Sequence, residues 1–155
     1  MTPTPELFTL VAAAAEGKKE LTAFDQALLK AGVGNVNLIR VSSILPPGAE
    51  FVEKLEFPPG SLLPIAYGSV TSAEPGALIA AAVAVGIGPE NNEYGVIMEF
   101  SGFCTRREAE NEVKEMVAEA FQYRGRELKE VKVASVEHRV IRCGSVFAGI
   151  PLWYK

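Results

Sequence analysis

The run Ala77-Leu78-Ile79-Ala80-Ala81-Ala82-Val83-Ala84-Val85-Gly86-Ile87 decides the fold class. Alanine is the strongest helix former, so propensity alone makes this stretch a helix. Two features oppose that. Gly76 and Gly88 bracket the run, and Val83, Val85 and Ile87 alternate with the two-residue period of a strand. Read as a strand, it joins a chain in which strands far outnumber helices.

Outward from this run, Leu62 to Thr71 and Tyr94 to Phe100 read as its neighbouring strands. Leu7 to Ala13 opens the chain as a strand, and Asn37 to Ile44 is a further β-rich run closed by Pro46-Pro47-Gly48. Pro58-Pro59-Gly60 marks another turn, and Val131 to Val136 and Cys143 to Trp153 end the chain as strands. Two segments carry the helical period. Thr22 offers an N-cap to a helix whose Phe24, Ala27, Leu28 and Ala31 share one face, with a stop at Gly32 and Gly34. Thr105-Arg106-Arg107-Glu108 is a capping box, followed by Ala109, Val113, Met116, Val117, Ala120 and Phe121 on one face and a stop at Gly125. About seven strands and two helices, with no repeat and no low-complexity linker, predict an α+β layered sandwich forming a single domain over 1–155.

Composition narrows the function. Lysine and arginine contribute 15 charges against 19 from aspartate and glutamate, for a net of -4, and no basic block tracks phosphates. Nucleic acid is therefore not expected as a partner. The N-terminus lacks a positive region, Phe8 to Ala15 is apolar but short, and the longest apolar run is Ala77 to Ile87. That run falls short of the roughly 20 residues that span a bilayer. The expectation is a cytoplasmic protein with no membrane partner. Cys104 and Cys143 are far apart and predict two reduced thiols. The single histidine, His138, lies in an alternating stretch at the surface or the core edge and leaves no histidine-rich metal site.

Ser42-Ser43 stands at the end of an apolar strand, just before the proline-rich turn. Serines at strand ends are common, and the pair alone carries little information. Its surroundings carry more. Gly34-Asn35-Val36-Asn37-Leu38-Ile39-Arg40-Val41-Ser42-Ser43-Ile44-Leu45-Pro46-Pro47 resembles the self-cleavage segment of the pyruvoyl-dependent arginine decarboxylases. Ala23-Phe24-Asp25, Ala66-Tyr67-Gly68, Ile97-Met98-Glu99, the helix after Thr105 and the terminal Leu152-Trp153-Tyr154-Lys155 follow in the same order. The resemblance thus covers nearly the whole chain. It implies an αββα-type sandwich of mostly antiparallel sheets with two main helices, assembled as a homo-oligomer, trimer or hexamer.

The chemistry the resemblance implies begins with Ser43 Oγ attacking the carbonyl of Ser42. Elimination and hydrolysis then leave a 1–42 chain and a 43–155 chain headed by a pyruvoyl group made from Ser43. That covalently bound group forms a Schiff base with arginine and replaces pyridoxal phosphate as the electron sink, with no metal. Asn37 matches the family's functional asparagine. Counted along a strand, positions 37, 39, 41 and 43 point to one side, so its amide could share a pocket with residue 43; the alternative is a turn or strand-start asparagine bonded to its own backbone. Glu99 matches the catalytic carboxylate. It alternates with Gly95 and Ile97 against Tyr94, Val96, Met98 and Phe100, and lies either on a solvated edge or in a partly dry pocket that raises its pKa.

Asp25, three residues after Thr22, suits a capping box; the family pattern instead sets it against the arginine guanidinium, which a carboxylate takes through two parallel hydrogen bonds. Leu21 and Ile44 would wall the substrate's methylene stem. Ala12-Ala13-Ala14-Ala15 departs from the small polar residues expected there, which would bear on substrate preference if the segment touched substrate. Two alternatives remain at this point: decarboxylation of another amino acid, and an unprocessed paralogue acting as a structural or regulatory subunit.

Overall fold

A computed structural model describes residues 3–155. In chain order its elements are β1 (Leu7–Phe8), β2 (Val11–Gly17), α1 (Glu20–Lys30), β3 (Asn37–Arg40), β4 (Ile44–Leu45) and β5 (Glu50–Phe51). They continue as β6 (Leu62–Ser72), β7 (Leu78–Ile87), β8 (Gly95–Gly102), α2 (Arg106–Tyr123), β9 (Glu130–Arg139) and β10 (Cys143–Trp153). One sheet has the order β3-β6-β10-β1-β5 with β2 also paired to β10, and the other runs β4-β8-β7-β9. All pairings are antiparallel except β1 with β5 and β3 with β6.

The alanine-rich run is a strand, β7, buried on both faces. Ile79, Ala81, Val83 and Val85 fill the space between the two sheets, with Phe8, Leu45, Ile97 and Ile150. Ala80, Ala82 and Ala84 face α2, where Val113, Val117 and Phe121 pack. The side chains are small where the helix must approach. At Gly86 a Cβ would come within 2.4 Å of Val117 Cγ1 and 2.7 Å of Phe121 Cε1. The composition that imitates a helix is therefore the footprint of a helix lying on a strand.

On the other side α1 covers the six-stranded sheet through Ala27 and Leu28, against Ala15, Leu63, Ile65 and Phe147. The layers are α1, sheet, sheet, α2: the expected αββα sandwich. The α2 ends follow the sequence. Thr105 Oγ1 accepts from the Glu108 N–H at 3.1 Å while Glu108 accepts from the Thr105 N–H at 3.0 Å. At the other end Gly125 takes φ of 61° and the Arg126 N–H reaches the Phe121 carbonyl at 3.0 Å, a Schellman-type stop.

Three boundaries differ from expectation. The opening strand is interrupted at Thr9 and Leu10, giving β1 and β2. α1 begins at Glu20 with Lys19 as its N-cap, so Thr22 lies inside the first turn and accepts from the Lys19 N–H at 3.1 Å. The Asn37–Ile44 run is not one strand: β3 belongs to the first sheet and β4 to the second. Among the described residues no helix is long and apolar enough to cross a membrane.

Candidate active site

The break between β3 and β4 is the centre of the site. Val41, Ser42 and Ser43 carry the chain from one sheet to the other. The last bond on the β3 side runs from the Val41 N–H to the Ile65 carbonyl at 3.0 Å, and the first on the β4 side from the Ile97 N–H to the Ser43 carbonyl at 2.7 Å. Only residues 41–43 separate these two bonds, so the Ser42–Ser43 peptide lies between two fixed points. Ser42 is exposed and Ser43 partly buried.

Register places Glu99 beside this link. Ile44 pairs with Val96 and Leu45 with Gly95, so Ser43 stands opposite Ile97. Ile97 is wholly buried in the core between the sheets. Glu99, two residues further along the strand, points to the same face and is a diagonal neighbour of Ser43, about 7–8 Å between Cα atoms. Glu99 is half-buried rather than fully exposed. Burial pushes its carboxyl above the usual range, and the Arg40 guanidinium opposes that in part. Gly68 on β6 borders it; a Cβ there would lie 3.4 Å from Glu99 Cβ.

The other expected residues lie elsewhere in the chain. Asn37 starts β3, donates its side-chain amide to the Gly60 carbonyl at 3.3 Å and is exposed. Its distance from Ser43 along the extended chain is on the order of 20 Å. The same-side argument for 37 and 43 fails because the strand ends at Arg40, before the crossover. Leu21 is 76% exposed on α1, and Asp25, one turn further on, shares its face. Asp25 is the sixth helical residue, so it caps nothing, and it makes no ion pair among the described residues. α1 packs on β2 and β10, on the outer face of the first sheet, whereas Ser43 bonds to the second. Ile44 is 42% exposed and projects away from the face shared by Leu45, Ile97 and Glu99. One chain thus brings together Ser42, Ser43 and Glu99, and leaves Asn37, Asp25, Leu21 and Ile44 outward.

Ala12 to Ala15 pair with β10 far from the crossover, with Ala12 and Ala14 at the inter-sheet core and Ala15 beneath α1. Their smallness is a packing requirement. Two features had no assignment in the sequence. The Ile97 N–H is backbone and therefore invisible to residue-type reasoning. His138 Nε2 meets Glu16 Oε2 at 2.6 Å, and Glu16 also accepts from the Ile141 and Arg142 N–H groups at 3.1 and 2.8 Å. This clasp joins β2 of one sheet to β9 of the other, at the opposite edge from Ser43.

The structure sets a crossover serine beside a half-buried carboxylate. The family model for pyruvoyl-dependent arginine decarboxylase matches residues 7–154. The chain is 48% identical over 151 residues to the pyruvoyl-dependent arginine decarboxylase of Methanocaldococcus jannaschii, covering 97% of this chain and 92% of that one. It is 51% identical over 136 residues to the protein of the same name from Pyrococcus abyssi and 53% over 135 to that from Thermococcus kodakarensis, covering 86% of this chain and 85% of theirs. The polypeptide belongs to the pyruvoyl-dependent arginine decarboxylase family.

Proposed function

We propose that this chain decarboxylates L-arginine to agmatine and CO2 with a pyruvoyl group that it makes from its own Ser43, cutting the Ser42–Ser43 bond. The observation that carries the reading is the placement of Ser43 in a short inter-sheet link anchored on both sides, with Glu99 on the same face. The residues around position 43 fit the group. Conversion of the serine removes its amine and hydroxyl but keeps its carbonyl, so the bond from the Ile97 N–H survives.

In the cut, Ser43 Oγ attacks the Ser42 carbonyl carbon, and the C–N bond breaks as the ester C–O bond forms. Loss of the Ser43 α-proton expels Ser42 as a carboxylate and leaves dehydroalanine. Hydrolysis of that residue consumes one water and releases ammonia. Anchors on both sides of Ser42 restrict the link and favour a near-attack geometry. The 1–42 chain stays in the single domain through β1, β2, α1 and β3, which pair or pack with β10 and β6.

Once formed, the pyruvoyl group supplies a ketone for the substrate amine and an electron sink for the departing carboxylate. The Ile97 N–H holds the carbonyl of residue 43. Glu99, whose burial favours the protonated form, delivers a proton to the substrate Cα after CO2 leaves. Asp25 takes the guanidinium, Leu21 and Ile44 line the methylene stem, and Asn37 donates to the reacting end. Ile44 adjoins residue 43 in its own chain, whereas Asp25 and Leu21 lie on α1 over the other sheet, so a neighbouring protomer of a homotrimer, alone or paired into a hexamer, supplies these two. Two free thiols, Cys104 and Cys143, suit the cytoplasm.

The test is the intact mass of the purified protein under denaturing conditions, followed by an assay for agmatine. Fragments 1–42 and 43–155, the larger lighter by one ammonia than its serine-headed form, support the reading. A single full-length mass after prolonged incubation overturns it and leaves an unprocessed subunit. Cleavage with no turnover of arginine overturns only the substrate.

A further inference from the structure

The β3–β6 ladder contains an exchange of partners that the catalytic reading does not use. Along this parallel pair the Asn37 N–H bonds to the Ser61 carbonyl and the Val41 N–H to the Ile65 carbonyl. Continued by one more step, the same pattern would give the Ser43 N–H to the Tyr67 carbonyl. That bond is not made, because the Ser43 carbonyl is bound to β8 in the other sheet. The Tyr67 carbonyl instead accepts from the Arg40 guanidinium, whose Cζ lies 4.4 Å from the centroid of the Tyr67 ring. Arg40 is the last residue of β3, and its side chain follows the course the strand itself abandons.

We propose that Arg40 is a positioning residue of the self-cleavage segment: its guanidinium satisfies the Tyr67 carbonyl in place of the Ser43 N–H, which frees Ser43 to cross to the second sheet beside Glu99. An unsatisfied carbonyl at that point would draw the chain back into the β3–β6 ladder and carry Ser43 away from Glu99. The planar fork of arginine reaches the carbonyl while stacking on the ring, a combination lysine does not reproduce. The same cation is the charge that bears on Glu99 among the described residues. Against Glu99 β7 sets Val83 and β6 sets Gly68, neither of them titratable, with the Tyr67 ring turned to the other face against Phe147. Arg40 therefore has a geometric role during the cut and an electrostatic role afterwards. The inference rests on the reading of Ser43 and Glu99 above.

The experiment compares Arg40→Met and Arg40→Lys with the parent in two measurements, neither of which needs arginine turnover. The first is the rate at which the 1–42 and 43–155 fragments appear, by intact mass. The second is the titration of the Glu99 carboxyl by 13C NMR in a Ser43→Ala background, where no group forms, with the signal assigned by Glu99→Gln. Arg40→Met is expected to slow cleavage about tenfold or more and to shift the Glu99 titration upward. Arg40→Lys should also slow cleavage but leave the titration near the parent's. Cleavage of both variants at the parental rate overturns the proposal. If Arg40→Met does not fold, Arg40→Lys decides alone: parental cleavage overturns the proposal, slowed cleavage with an unmoved titration supports it. Should Ser43→Ala itself still fragment, the reading of Ser43 fails, and that outcome is separate from anything seen at Arg40.

Discussion

The Ile97 N–H donates to the Ser43 carbonyl at 2.7 Å, from a strand whose side chain at that position is wholly buried. The donor is backbone, so the bond does not depend on the isoleucine side chain, which fills the core between the sheets. Ile97→Val should therefore cost about 0.5–1.5 kcal/mol of stability and leave cleavage intact. Thermal unfolding and intact mass check the two parts separately. Loss of cleavage in a folded Ile97→Val protein would mean that side-chain packing, and not the N–H, holds Ser43 in place.

Glu99 gives a pH signature whose sign is fixed by burial. A carboxyl with a folded-state pKa above its unfolded value is stabilised by folding in its protonated form. The contribution is fully present below the unfolded pKa and is lost as pH rises through the folded one. Near neutral pH the ionised group is then a burden on the fold. Glu99→Gln should melt higher than the parent at about pH 7–8, the gap closing as the solution is acidified below the raised pKa. It should at the same time lose decarboxylation. Unfolding curves of the Ser43→Ala background across pH give the first result cleanly, and a gap that widens on acidification would refute the assignment of burial as the cause.

Much of this architecture was legible in the sequence because the chain alternates with two different partners. β7 shows the reason: its odd positions carry Ile79, Val83 and Val85 towards the other sheet, and its even positions carry alanines towards α2. The capping box at Thr105 and the glycine at 125 fixed the ends of α2 for similar local reasons. The crossover was not legible. Asn37 to Ile44 alternates like one strand, and what ends it at Arg40 is the tertiary pull of a second sheet, together with a side chain that takes over a backbone bond. The candidate residues were therefore found by type, while their separation in space was not. The Glu16–His138 clasp was hidden for the same reason, its partners lying 122 positions apart.

That clasp carries its own prediction. Burial acts to raise the Glu16 carboxyl, but the bonds from His138 and from the Arg142 and Ile141 N–H groups outweigh it and hold the group below the usual carboxylate range. A lowered folded pKa contributes stability above the unfolded value, and that contribution is lost as pH falls through the folded one. Partly solvated, these bonds together are worth about 1–2 kcal/mol. Glu16→Ala should lose about that much near neutral pH, and the deficit should fade in acid. Cleavage should be unaffected, since the clasp lies at the far edge of the sandwich from Ser43. Denaturant titrations at neutral and acid pH, with intact mass, check this; a pH-independent deficit would point to packing against Gly144, which Glu16 Oε2 closely approaches, as the main contribution.

Asp25 tests whether the site is shared between chains. It lies on α1 over the outer face of the first sheet, while Ser43 bonds to the second sheet near its β4 edge. Two strand spacings and a layer of packing, about 10 Å each, separate these places within one chain. Asp25→Ala should leave cleavage unchanged but raise KM for arginine about tenfold to a hundredfold, the worth of a charge-assisted pair. Ser43→Ala should abolish turnover because no group forms. Co-expressed with different affinity tags, the two defective chains should recover arginine decarboxylation in mixed oligomers. There the processed residue 43 of the Asp25→Ala chain meets Asp25 of the Ser43→Ala chain. If Asp25 served only its own chain, every such protomer would lack one of the two groups and mixing would restore nothing. Recovery in isolated mixed oligomers therefore places Asp25 and residue 43 of one working site on different copies, and its absence, in mixed oligomers shown to have formed, rules that arrangement out.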